Sequence, residues 1–176
     1  MSQLTKRLGL SRYDADIEYK QSIQHYLKRQ LTDAILAVER AIDLLPNNAE
    51  YLAARGLYYL EDGAEKEAKR DFEAALAIFD YEVLAHIGLG IIAYRNSKWD
   101  EALEHFIKAY RADPKRAETA YYLALCYHRK LQNKQALDYM TKALDLMEKS
   151  NDKRKADAQK WIKQLEKMIS DTSPTT

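Results

Sequence analysis

Cysteine occurs once, at Cys126, proline three times and glycine five times in 176 residues. A lone cysteine forms no internal disulfide, which fits a reducing compartment and argues against a small disulfide-stapled scaffold. So few helix breakers, beside abundant alanine and leucine, make helix the expected state throughout. Neither charge dominates: 28 Lys plus Arg against 27 Asp plus Glu leave +1. There is then no overall field to draw in nucleic acid or anionic lipid. The opening MSQLTKRLGLSRYD has no apolar run long enough for a signal peptide, and no later stretch approaches the length that spans a bilayer. These absences predict a cytoplasmic protein, a secreted chain stripped of its signal being the alternative. What is present, 47% hydrophobic and 31% charged residues, belongs to an ordered globular chain.

The order is repetitive. The stretch from Val83 to Lys115 reads as two amphipathic helices, Leu84 to Tyr94 and Trp99 to Ala112, around the polar break Arg95-Asn96-Ser97-Lys98. Asp100 and Glu101 suit the second helix's positive end, and Pro114 follows its close. Shifted by 34 residues, the chain matches itself, with units at 15–48, 49–82, 83–116 and 117–150. The eighth site is always small: Ser22, Gly56, Gly90 and Ala124. The twentieth is Ala34, Ala68, Ala102 and Ala136; the twenty-seventh is Ala41, Ala75, Ala109 and Ala143. With alanine at about one residue in seven, eight such coincidences have a chance on the order of one in ten million. Small residues face each other where two helices approach closely. Larger ones fill the space beside them, as Val38, Phe72, Phe106 and Met140 do at the twenty-fourth site. The seventh site, Gln21, Arg55, Leu89 and Leu123, departs from apolar character in the first two units.

Residues 151–169 carry one apolar stripe, Ala158, Trp161, Ile162, Leu165 and Ile169, among polar neighbours. They are expected to form a capping helix, half of a fifth unit, as an array's end requires. Residues 1–14 are expected to be an irregular or loosely docked arm, interrupted at Gly9, and 170–176 a disordered tail.

The third unit's Leu89-Gly90, Ala102, Phe106, Ala109 and Pro114, with the second's Gly56, Tyr59, Ala68, Phe72 and Ala75, resemble the tetratricopeptide repeat. The family's leading Trp is replaced by Glu18, Leu52, His86 and Ala120, and its closing Pro survives only at Pro46 and Pro114. The resemblance covers about Ala15 to Ser150. It implies an all-α, right-handed superhelical solenoid of four helix hairpins plus the C-terminal cap. It also implies that the second, fifth, ninth and twelfth sites of each first helix line a concave inner face.

Those sites are mostly apolar or aromatic, and a contiguous apolar patch marks an interaction surface. The predicted peptide-binding groove comprises Tyr19, Ile23, Tyr26, Leu57, Leu60, Ile87, Ile91, Tyr94, Tyr121, Tyr122, Leu125 and His128. Its expected occupant is an amphipathic helix or extended apolar peptide from a protein partner, with the chain acting as adaptor or assembly factor. Two other outcomes stay open: mutual burial of the stripe by curvature, and occupation by residues 1–14 or by a second copy. A self-assembling structural subunit, a homo-oligomer, is the rival function. The Lys and Asn with which some members of the family clamp a chaperone's C-terminal carboxylate are missing. The corresponding sites hold Tyr19 and Ile23, or Ala53 and Leu57. A chaperone-tail partner is therefore not expected.

No enzyme is expected either. His25, His86, His105 and His128 lack metal-ligand spacing, so neither metal nor cofactor is called for. Gly88-Leu89-Gly90 lies mid-helix with no strand before it, unlike a phosphate loop. Gly90 has a packing role; Gly88 either admits a close neighbour or is a weak spot costing ~1 kcal/mol, and the weak spot is the expectation. Cys126 reads as core. The basic run around Lys153-Arg154-Lys155 is interspersed with acids and reads as a solvated face, so neither nucleic acid nor membrane is an expected partner.

Overall fold

The computed structural model describes residues 3–172, with side chains placed over 12–171. Nine helices and no strands occur among the described residues: α1 (Gln3–Leu27), α2 (Leu31–Leu44), α3 (Ala49–Asp62), α4 (Glu65–Ile78), α5 (Val83–Arg95), α6 (Trp99–Ala112), α7 (Ala117–Arg129), α8 (Asn133–Lys149) and α9 (Lys155–Thr172). The architecture is an all-α helical repeat. Each 34-residue unit is one helix hairpin, and α6 starts at Trp99 and ends at Ala112 as the sequence predicts.

All four hairpins turn in the same way. The residue at the fifteenth site, Arg29, Gly63, Ser97 or Leu131, is left-handed, with φ of 63°, 86°, 59° and 60°. The next amide then donates back to the carbonyl five residues earlier: Gln30 to His25, Ala64 to Tyr59, Lys98 to Ala93 and Gln132 to Tyr127. This is the helix C-terminal motif that favours glycine at the left-handed position. Only the second unit supplies one, so the other three turns hold a side chain in a conformation costing roughly 1–2 kcal/mol.

The chain divides into two compact halves, through Gly88 and from Leu89 onward. In the first, α1 packs on α2, α2 on α3 and α3 on α4. Ala34, Ala41, Ala68 and Ala75 are wholly enclosed, as the close-packing pattern requires. The Phe72 ring fills a slot bounded by two glycines. A Cβ on Gly56 would meet it at 2.7 Å and one on Gly88 at 2.2 Å. Gly88 is thus a required gap, and its reading as a weak spot is corrected. Arg55, the polar departure at the seventh site, is explained by Asp71. Its Nε and Nη2 donate to the two carboxylate oxygens at 2.6 and 2.9 Å, and the Asp71 side chain is 3% exposed.

In the second half, Ala102, Ala109, Ala136 and Ala143 occupy the same interlocking sites. Phe106 takes the place of Phe72, close against Gly90. On the other side Phe106 stacks on Tyr122, centroids 5.0 Å apart and planes within 5°. Helix α9 packs on α8 and joins a core of Ala120, Ala124, Met140 and Met147 through Ala158 and Leu165.

Both ends are more helical than expected. The backbone from Gln3 belongs to α1, so no irregular arm precedes Ala15 within the described residues. An interior glycine costs only ~1 kcal/mol, and a helix already nucleated propagates through Gly9. At the other end α9 continues through Thr172. Residues 173–176, the remainder of the expected tail, lie outside the described residues, as do Met1 and Ser2 at the start.

Candidate functional site

The twelve residues expected on the inner stripe fall into two groups. Leu60, Ile87, Ile91 and Leu125 are buried, with Ile87 only 2% exposed. They are not available as surface anchors, which corrects that part of the expectation. The sequence carries the reason: α5 reads VLAHIGLGIIAYR, apolar on every side, and a helix apolar all round is enclosed. Every residue from Ala85 to Ala93 is buried. Leu125 belongs to the core that includes Met140 and Ala158.

The second group is partly or fully open: Tyr19, Ile23, Tyr26 and Leu57 in the first half, Tyr94, Tyr121, Tyr122 and His128 in the second. Most of these are tied to the following repeat. Tyr26 stacks on Tyr58 at 5.0 Å and donates its hydroxyl to Glu61 at 2.5 Å. Tyr19 lies 4.7 Å from the Tyr51 ring, and Tyr51 donates to Asp16. Burial, then the charge of Glu50, raises the Tyr19 phenol far above its ordinary range, so it stays a neutral hydroxyl. Leu57 packs against the same first-half core, and Ile23 remains exposed.

The second half gathers its aromatics into one cluster. Tyr94 meets Trp99 edge-on at 5.0 Å and Tyr122 at 6.2 Å, while Tyr121 meets Tyr122 at 6.0 Å. Arg129 binds this cluster from outside: its Nε donates to the Tyr94 hydroxyl at 3.2 Å, and its guanidinium lies 5.5 Å from the Trp99 ring centre. Tyr121 donates to Asp157 at 2.6 Å, and His128 stands 5.3 Å from the Trp161 ring. The Tyr122 phenol is raised by burial and by Glu118, and pulled back by the positive charges of Arg95 and Arg154. Arg154 is held by Asp152 at 2.7 Å and lies 3.8 Å from Glu118. Arg95 and Arg129 are both exposed and make no ion pair among the described residues.

Trp99, Arg95 and Arg129 were not in the predicted groove. Their signal is present in the sequence but spans two repeats, since Tyr94 and Arg129 stand 35 residues apart. A single-helix periodicity cannot see such a pair. The Cys126 thiol is buried and pushed up to about 12, which leaves it unreactive. What the cluster offers is contact area with a polar rim, the composition of a binding surface.

Comparison with known proteins supports the repeat and reaches little further. The family profile described as "Regulator of microtubule dynamics protein 1-3" matches residues 91–170. Subunit 3 of the anaphase-promoting complex from Schizosaccharomyces pombe is 26% identical over 125 residues, covering 71% of this chain but only 19% of that protein. Among solved structures, the anaphase-promoting complex hetero-tetramer Cut9–Hcn1 superposes with a TM-score of 0.77 at 19% identity, over 89% of this chain and 30% of that one. The Arabidopsis OM64 TPR domain superposes at 0.62 and 20% identity, over 67% of this chain and 98% of that one.

Proposed function

We propose that this chain, whose fold is that of the tetratricopeptide-repeat structures it resembles, is a non-catalytic protein-interaction module, an adaptor or assembly factor that docks an amphipathic helix or extended apolar peptide. The observation that carries this reading is the half-open aromatic cluster of Tyr94, Trp99, Tyr121 and Tyr122. Tyrosine and tryptophan supply large contact area for few rotatable bonds. Burying three or four apolar ligand side chains at roughly 1.5–3 kcal/mol each supports affinities up to about micromolar after the cost of association. Two of the similar proteins are named as parts of a multi-protein complex, which suits a chain that works by binding. No helix among the described residues is long and apolar enough to cross a membrane. We place the module in the cytoplasm, where an unpaired cysteine such as Cys126 is at home.

Panning a displayed library of short random peptides on the purified chain, and on a Tyr94→Ala/Tyr121→Ala variant, tests the reading. Enrichment of apolar-rich sequences on the wild type, lost on the variant, is the expected result. Failure to enrich any sequence, or enrichment unchanged by the double substitution, would overturn it.

A further inference from the structure

The connection between α4 and α5 presents two aromatic rings to solvent. Phe79 is 50% exposed and Tyr81 67%, beside Ile78 at 43%. Folded chains ordinarily turn such side chains inward, and a group of them left open marks a contact surface. The loop that carries them is tied down. The Glu82 amide donates to the Phe79 carbonyl at 3.1 Å, and the enclosed His86 donates its Nε2–H to the Asp80 carbonyl at 2.9 Å. The two ring centres stand 6.0 Å apart, inclined by 56°.

The packing of the repeat does not require these residues. One repeat later, the sites of Ile78, Phe79, Asp80, Tyr81 and Glu82 are held by Ala112, Asp113, Pro114, Lys115 and Arg116. Helices α6 and α7 form on either side of that turn all the same. Open aromatic character is thus particular to the α4–α5 loop, and its charge is of the opposite sign.

That charge decides what sits on the rings. The face of an aromatic ring attracts cations, and so does a neighbouring carboxylate. The stretch between Arg70 and Arg95 holds no lysine or arginine, whereas it carries Asp71, Glu73, Asp80 and Glu82. Asp71 is taken up by Arg55 and Glu73 by Lys69. The carboxylate of Asp80, set between the two aromatic residues, has no ion-pair or hydrogen-bond partner among the described residues. The corresponding α2–α3 connection brings no base either, since Asp43 and Glu50 are the charged residues between Arg40 and Arg55.

We propose that Phe79, Asp80 and Tyr81 form a docking surface for a basic peptide segment, a cationic side chain of which lies over a ring face and reaches the Asp80 carboxylate. Arginine fits best, because its flat guanidinium stacks on a ring and still presents two donors to one carboxylate. The surface belongs to the first half, and the proposal stands apart from the reading of the second-half cluster.

Fluorescence anisotropy tests it with labelled peptides of one length and one apolar centre, flanked by Arg, by Gln or by Glu. The Arg peptide is expected to bind at least about tenfold more tightly than the Gln peptide, with a preference that shrinks as salt is raised. Tyr81→Lys, after the pattern of the following repeat, and Asp80→Asn are each expected to remove most of that preference. Both sites are exposed, and circular dichroism checks that the variants remain folded. Tyr94→Ala/Tyr121→Ala, in the other half, is expected to leave the preference unchanged. Equal binding of the Arg and Gln peptides, binding of neither, or tighter binding of the Glu peptide overturns the proposal. So does an Arg preference that survives both folded variants, or one that disappears with Tyr94→Ala/Tyr121→Ala, since the basic segment then sits elsewhere.

Discussion

Tyr26 with Glu61 and Tyr94 with Arg129 are the same structural pair written twice with opposite sign. In each, a tyrosine at the twelfth site of one repeat meets the thirteenth residue of the next. In the first half the phenol donates to a carboxylate at 2.5 Å; in the second it accepts from a guanidinium at 3.2 Å. The backbone repeat fixes who meets whom, because close helix packing allows one spacing. It leaves the charge free. The first half closes this edge with Arg29 on Glu61 at 3.3 Å, and in the second Arg129 is held by a phenol and a ring instead of a carboxylate. Shared packing with divergent edges is how one scaffold comes to carry a local specificity.

The contrast can be broken hardest at Asp71. Asp71→Leu leaves the largely buried Arg55 only the more distant Glu39, at 3.9 Å, and is expected to lower stability by about 3 kcal/mol. Arg55→Leu together with Asp71→Leu should recover most of that loss, since the second half uses Leu123 at the seventh site. Urea unfolding of the three chains decides; a double variant no better than the single shows that the pair is more than a substitute for apolar packing. Gly88→Ala comes next. Its methyl group would sit 2.2 Å from the Phe72 ring, so a loss of about 1–3 kcal/mol is expected in the same measurement.

A smaller effect of opposite sign is expected at Leu131, left-handed and 85% exposed. Leu131→Gly should raise stability by about 1 kcal/mol, making this turn like that at Gly63. Thermal melting checks it, and a lower midpoint would mean that Leu131 makes a contact of value. Least of all is expected from Glu61→Arg, which gives the first pair the second's polarity. Stability should change by no more than about 1 kcal/mol, because the partners are exposed. A larger change in urea unfolding would show that the Tyr26–Glu61 bond holds the two repeats together.

The repeat was legible because alanine returns at fixed sites in every unit, and close packing tolerates little else there. The half-open tyrosines were legible too, from the 3.6-residue period. That period misplaces Leu60, Ile87, Ile91 and Leu125, because it treats each helix alone and its inner face as bare. The all-round apolarity of α5 was the available warning. Arg129 and Trp99 escaped because their meaning lies in a pairing between repeats. The left-handed turn residues escaped because only one of the four is glycine. Gly88 is the instructive case: with no glycine at the equivalent site of other units, it reads as dispensable in the sequence, yet the Phe72 ring fills the space it leaves.

Cys126 has a practical consequence. The chain's one thiol is enclosed in the second half and needs strong base to ionise, so an alkylating reagent reaches it only when that half transiently opens. Its labelling rate is a built-in clock for the fluctuations of one part of the molecule. Breathing of the first half, which has no sulfhydryl of its own, would leave no mark on it.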